Sequence, residues 1–205
     1  MCKTVAVVSV QSEKVFAWLG HMPVLNWCLT RLEDVRNVDQ VVCVTAKAFT
    51  RKVRELVDTS KIDVVEIPAD VANATVGVTN GRSSTSALEN WLCSANGPGS
   101  DADVIAVIGA TNPFLPAGTI EDCIDSVIRK FADLCCTTQE VNAWTPYGKT
   151  TGHAELLGCR VFAPARVKEP YSKFRPVHIG TIESLDVTDA TNLRLAKAAV
   201  EDGIV

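Results

Sequence analysis

The chain of 205 residues predicts an α/β fold, one domain in which a mostly parallel sheet carries helices on both faces. Three observations lead there. Short β-branched runs alternate with stretches whose apolar residues recur every three or four positions. Hydrophobic residues make up 47% and charged residues 21%, enough apolar surface for an ordinary core. At roughly 150 residues per domain, the length fits one domain over 1–205.

The elements follow in order. Thr4 to Val10 is a β-branched run and reads as a buried strand. Pro23 suits the first turn of a helix, where a missing N–H costs nothing, and Leu25, Cys28, Leu29, Leu32 and Val35 give that helix one apolar stripe. Gln40 to Thr45 is a second strand, Phe49 to Asp58 a second helix, and Ile62 to Ile67 a third strand. Arg82 to Cys93 reads as a helix with serines at its front as N-caps. Ala95 to Ser100 is a Gly/Pro loop, and Asp103 to Ile108 is the most apolar strand. Pro116 opens a helix whose Ile120, Cys123, Ile124, Val127, Ile128 and Phe131 share a face. Leu134 to Val141 and Leu156 to Ala163 have strand character, and Asn142 to His153 between them reads as a polar connection, a lid or a dimer arm. The region 134–186 is therefore an expected antiparallel excursion. Leu193, Ala196, Ala199 and Val200 line a last helix, for which Thr188 or Asp189 is the natural N-cap.

Charge and composition exclude several functions. Lys plus Arg is 20 and Asp plus Glu is 24, a net charge of −4 that argues against a nucleic-acid partner. No apolar run approaches the roughly 18 residues of a membrane span, and no secretory signal stands at the N-terminus. Eight cysteines lack Cys-x-x-Cys spacing and sit mostly in apolar stretches, which reads as buried reduced thiols in a cytoplasmic protein. Three histidines without ligand spacing argue against a zinc site.

In an open sheet of this kind ligands bind beyond the carboxyl ends of the strands. The loop after the first strand has no glycine before Gly20, so neither a dinucleotide fingerprint nor a P-loop is present. Gln11, the Ser12 hydroxyl and the Lys14 ammonium remain as phosphate contacts, or as a solvated connection. After the apolar strand, Thr111 and Asn112 lie where side chains could hydrogen-bond a ribose or base, or form a simple turn. Asp186 stands too far upstream to cap the last helix and is a candidate Mg²⁺ ligand, or a surface aspartate.

These segments, taken in order, resemble the cytidylyltransferases that activate sugars, the group including acylneuraminate and KDO cytidylyltransferases. Gly20-His21-Met22-Pro23-Val24-Leu25 looks like that family's Gly-x-Pro-Leu element. Gly109-Ala110-Thr111-Asn112-Pro113-Phe114 is similar to its Gln-Pro-Thr-Ser-Pro-Leu turn. Asp186-Val187-Thr188-Asp189 with Asn192-Leu193 looks like its Asp-Ile-Asp-Thr-Pro-Glu-Asp-Leu ending. Gly81-Arg82-Ser83-Ser84 lies where the family has polar residues near the nucleotide.

The resemblance implies a three-layer, Rossmann-like mixed sheet of the nucleotide-diphospho-sugar transferase type and a homodimer. It implies CTP as donor, Mg²⁺ as cofactor and an acidic sugar or similar anionic acceptor, with pyrophosphate leaving. Lys14 and Asp186 would then be catalytic. Gln11, Ser12, Lys14, Arg82, Ser83, Thr111 and Asn112 would bind nucleotide, Arg175 and His178 the acceptor, and Asp186 with Asp189 the metal. The chain also departs from the pattern. Its first loop lacks the family's Arg and paired Gly, Gly109 replaces the Gln, and Thr188 stands where the second aspartate falls. An active enzyme with an altered substrate and a relative without catalysis both fit these departures.

Overall fold

The computed structural model describes residues 2–74, 87–145, 148–167 and 172–205. The chain starts with β1 (Thr4–Val10), a 3-10 turn (Glu13–Phe16) and a small hairpin of β2 (Trp18–Leu19) and β3 (Met22–Pro23). There follow α1 (Val24–Glu33), β4 (Gln40–Thr45), α2 (Thr50–Leu56), β5 (Ile62–Glu66), α3 (Ala69–Ala74) and α4 (Ala87–Leu92). The second half holds β6 (Val104–Gly109), α5 (Ala117–Ile128), β7 (Leu134–Thr145), β8 (Gly148–Phe162), β9 (Phe174–His178) and α6 (Ala190–Glu201).

Seven strands form one sheet in the order β5-β4-β1-β6-β8-β7-β9. β8 alone runs against the others, pairing antiparallel with β6 and with β7. The expected α/β sheet is therefore present. Alternation along each strand sends side chains to two cores. Ala6, Val8, Cys43, Ala106 and Ile108 meet Leu25, Leu29 and Leu32 of α1 and Ile120, Cys123 and Ile124 of α5 on one face. Val5, Val7, Val42 and Ile105 meet Leu88 and Leu92 of α4 and Val71 of α3 on the other. Helix cover on both faces explains why these strands read as unbroken apolar runs. A third cluster seats α6 through Ala196 and Ala199 against Leu19, Phe114, Leu185 and Val187.

Some boundaries differ from the sequence reading. Pro23 and Pro116 are the N-caps of α1 and α5, one residue ahead of the first helical position. Pro23 is held there because it also pairs with Trp18 in the small hairpin. The serine-led front of the expected helix at 82–93, with Arg82 and Ser83, lies outside the described residues, and α4 begins at Ala87. Within the polar stretch from Asn142 to His153, the described residues 142–145 and 148–153 are strand, where β7 and β8 pair with Asn142 opposite Thr151 and Trp144 opposite Lys149. β6 pairs with β8 only from Cys159 to Phe162, so most of that hairpin stands beyond the end of β6. The register shifts between Cys136 and Thr138, where Thr137 turns its hydroxyl onto Cys159, whose N–H donates to Thr137 Oγ1 at 3.0 Å. A Cβ at Gly158 would stand 2.9 Å from that oxygen, so glycine permits the close approach.

Candidate functional site

From β1 the chain steps to β4 and β5 on one side, then returns to β6 on the other. The sheet order thus reverses between β1 and β6, the position at which strand-end loops leave a crevice. Ser9 is level with Gly109 and Val10 with Thr45, so the loops after all three strands leave at one edge.

The first loop is held by its own polar groups. Gln11 Nε2 donates to Ser9 Oγ at 3.0 Å. Ser12 caps the 3-10 turn, its Oγ accepting the Lys14 N–H at 3.2 Å, and Val15 anchors the turn in the core. Lys14 is exposed and forms no ion pair among the described residues. The Ser12 hydroxyl keeps its own proton free to donate.

The turn after β6 is tied on three sides. The Asn112 N–H closes it on the Gly109 carbonyl at 3.1 Å. Cys28 of α1 donates its S–H to the Ala110 carbonyl at 3.2 Å. Burial pushes the Cys28 thiol up to about 12, so at neutral pH it is a proton donor. On the third side, the Val187 N–H donates to the Thr111 carbonyl at 2.9 Å, and Asn112 Nδ2 donates to the Leu185 carbonyl at 3.4 Å. These two bonds bracket Asp186. The structure therefore brings Thr111, Asn112 and Asp186 together across more than seventy residues of chain. Asn112 is only 3% exposed, and its Oδ1 has no partner among the described residues.

The two aspartates have different situations. Asp186 Oδ1 accepts the Thr188 N–H at 3.1 Å, and its own carbonyl accepts from Asn192 Nδ2 at 2.8 Å. Its second carboxylate oxygen accepts no hydrogen bond among the described residues. Asp189 Oδ1 accepts both the Thr191 and Asn192 N–H groups at 2.7 and 2.8 Å, which makes it the N-cap of α6. No three His, Cys, Asp or Glu side chains cluster as a metal site among the described residues. A Mg²⁺ ion needs only one or two carboxylates when phosphate oxygens complete its shell. Asp186 fits such a role, and Asp189 has its Oδ1 engaged by the helix.

The two acceptor candidates sit on β9, which pairs with β7. His178 Nδ1 lies 3.0 Å from Thr138 Oγ1 at the carboxyl end of the sheet. Arg175 is three positions earlier, about 10 Å along the strand, and donates to Ser126 Oγ of α5 at 2.8 Å. The structure places these two at different levels. In the sequence Cys28 is one member of an apolar stripe, and no signal there separates it from its neighbours as a support of the turn.

No protein-family model matches the chain, and no curated protein matches it. Solved structures do share its fold. The chain is similar to a CMP:2-keto-3-deoxy-manno-octonic acid synthetase complexed with CTP, at a TM-score of 0.68 and 12% identity, covering 98% of this chain and 99% of that one. It is similar to the 4-diphosphocytidyl-2C-methyl-D-erythritol synthase of Anaerococcus prevotii DSM 20548, at 0.67 and 12%, covering 98% and 96%. A second 4-diphosphocytidyl-2C-methyl-D-erythritol synthase matches at 0.61 and 13%, covering 98% and 100%. The fold of this chain is therefore that of the cytidylyltransferases, with a mostly parallel seven-stranded sheet.

Proposed function

We propose that the chain is a nucleotidyltransferase that moves CMP from CTP to an acidic sugar or similar anionic acceptor. The observation that carries this reading is the pair of hydrogen bonds that set Asp186 against the Thr111–Asn112 turn at the end of β6, beside the strand that leads into Ser12 and Lys14. In this reading the Ser12 hydroxyl and the Lys14 ammonium hold the triphosphate. Thr111 and Asn112 orient the nucleoside, as do Arg82 and Ser83. His178 and Arg175 attract the acceptor's negative charge.

An acceptor hydroxyl oxygen forms a bond to the α-phosphorus and gives up its proton to solvent as the bond to the bridging oxygen breaks, and pyrophosphate leaves with that electron pair. The protein's share is positioning and charge stabilisation. Bound Mg²⁺, held by Asp186 together with phosphate oxygens, would supply positive charge to the leaving group. The reading includes a homodimer joined through the β7–β8 hairpin and a cytoplasmic setting.

A second reading, a nucleotide-binding relative without catalysis, is favoured by one observation: Asp189, the candidate second metal ligand, spends its Oδ1 on capping α6. Calorimetry of Mg²⁺-dependent CTP binding, paired with a pyrophosphate-release assay over acidic sugars, separates the two. An enzyme releases pyrophosphate, and Asp186→Asn abolishes that release in a folded protein. A non-catalytic relative binds CTP without turnover, and Thr188→Asp tightens the Mg²⁺-dependent binding. Equal CTP affinity in the native, Asp186→Asn and Thr188→Asp proteins removes this carboxylate from either reading.

A further inference from the structure

The first loop carries one cation, Lys14, where a triphosphate bears about four negative charges at neutral pH. The structure brings a second cation to that loop from another element. β4 lies beside β1, with Thr45 level with Val10, so α2 starts next to the 3-10 turn. Phe16 ends that turn two residues after Lys14. Its ring packs on Phe49 at the front of α2, with centroids 5.8 Å apart, and the Lys52 ammonium sits 5.4 Å from the ring centroid. An aromatic face attracts and orders an ammonium group without neutralising it.

Counter-ions are accounted for. Glu55, the carboxylate within helical reach of Lys52, pairs with Arg51 at 3.6 Å. Lys52 has no carboxylate partner among the described residues, and neither has Lys14. Glu13, exposed in the same 3-10 turn, is the acidic group of that loop and makes no ion pair there either. A long flexible lysine usually loses entropy when it is ordered, and a salt bridge or a ligand normally offsets that loss. Here the ordering comes from Phe16, and the charge stays available.

We propose that Lys52, held over Phe16, is a polyphosphate-binding cation that acts with Lys14 on the phosphates of the ligand. The proposal rests on the nucleotide reading for the identity of that ligand and on the geometry for the placement of the charge. Lys52 contributes a point charge, which steers and holds a polyanion without demanding fixed angles. Its effect weakens with added salt because the group is exposed.

The test is calorimetry at low ionic strength with inorganic tripolyphosphate and CTP as probes, ATP for comparison of the base, and cytidine as the uncharged control. Lys52→Met keeps a good helix former at an exposed site. Arg51→Met removes the same charge from the same helix at a residue paired to Glu55. Lys52→Met is expected to weaken tripolyphosphate and CTP by about tenfold, the loss for one charged contact. Arg51→Met and cytidine binding stay as in the native protein, and Lys52→Arg recovers most of the loss. A Lys52→Met protein that binds tripolyphosphate as the native does, or loses no more than Arg51→Met, overturns the proposal. A native protein that binds neither probe also overturns it. If tripolyphosphate binding falls in Lys52→Met while CTP binds no better than ATP, the Lys52 assignment stands and the cytidylyltransferase reading fails. If CTP is preferred but Lys52→Met is without effect, the reading stands and the assignment fails.

Discussion

At the scale of single residues, protonation decides who can donate. Burial raises the thiols of Cys28 and Cys43 to about 12, and half-buried Cys93 to about 11, again chiefly through desolvation. At pH 8 such groups hold their protons and react slowly, because the thiolate is the nucleophile. Cys2 is the exposed thiol of the eight. A disulfide reagent at pH 8 should therefore modify about one thiol per native chain quickly and all of them after unfolding in guanidinium, counted by absorbance. Fast modification of several would contradict the burial. Lys14 belongs to the same scale. Lys14→Ala should weaken CTP binding about tenfold at low salt and leave cytidine binding unchanged. The difference should shrink as salt rises, which calorimetry at two ionic strengths reads. Ser12, Lys14, Thr111, Asn112 and Asp186 were legible as candidates because polar residues at strand ends stand out against apolar runs. Cys28 and Lys52 were not. A cysteine in a helical stripe looks like core, and a lysine on a helix looks like solvated surface. Only the packing of α1 under one turn and of α2 against another gives them a place.

At the scale of elements, legibility followed burial. β1, β4 and β6 lie between two helical layers and announced themselves as apolar runs. β9 did not, because an edge strand needs no such pattern and contains Pro176. The Ile179 N–H bonds to Thr138, so by two-residue alternation the nitrogen of Pro176 faces away from β7. Proline is tolerated there and blunts the open edge against pairing with another chain. The antiparallel β7–β8 pair is legible at 134–141 and 156–163, but its continuation into the polar stretch 142–153 is not, because backbone pairing holds that part past the end of β6. The two-residue strands β2 and β3 are too short for any periodicity. The N-cap of α6 was legible, and it can be weighed. Asp189→Ala should cost about 1 kcal/mol in urea unfolding, and Asp189→Asn, an equally good cap, should cost little. Equal losses in both variants would mean that the charge, not the cap, stabilises α6.

At the scale of the whole molecule, a net charge of −4 coexists with two exposed lysines, Lys14 and Lys52, that make no ion pair among the described residues and lie at the edge where β1 and β4 end. Exposed lysines beside a strand-end crevice are the kind of charge that attracts a polyanion. The fold is shared at 12% identity, over nearly the full length of both chains, with a CMP:2-keto-3-deoxy-manno-octonic acid synthetase complexed with CTP and with a 4-diphosphocytidyl-2C-methyl-D-erythritol synthase. Under the proposed function this crevice takes CTP. Thermal unfolding with CTP, UTP, ATP and GTP, each with and without Mg²⁺, tests it most directly, because a ligand that binds only the folded state raises its stability. A pocket with fixed hydrogen-bond partners rejects the wrong base edge. CTP with Mg²⁺ should therefore raise the Tm by several degrees, the shift that about 1 to 2 kcal/mol gives a domain of this size, and more than any other nucleotide. Equal shifts for all four nucleotides, or no shift with any, would contradict the account.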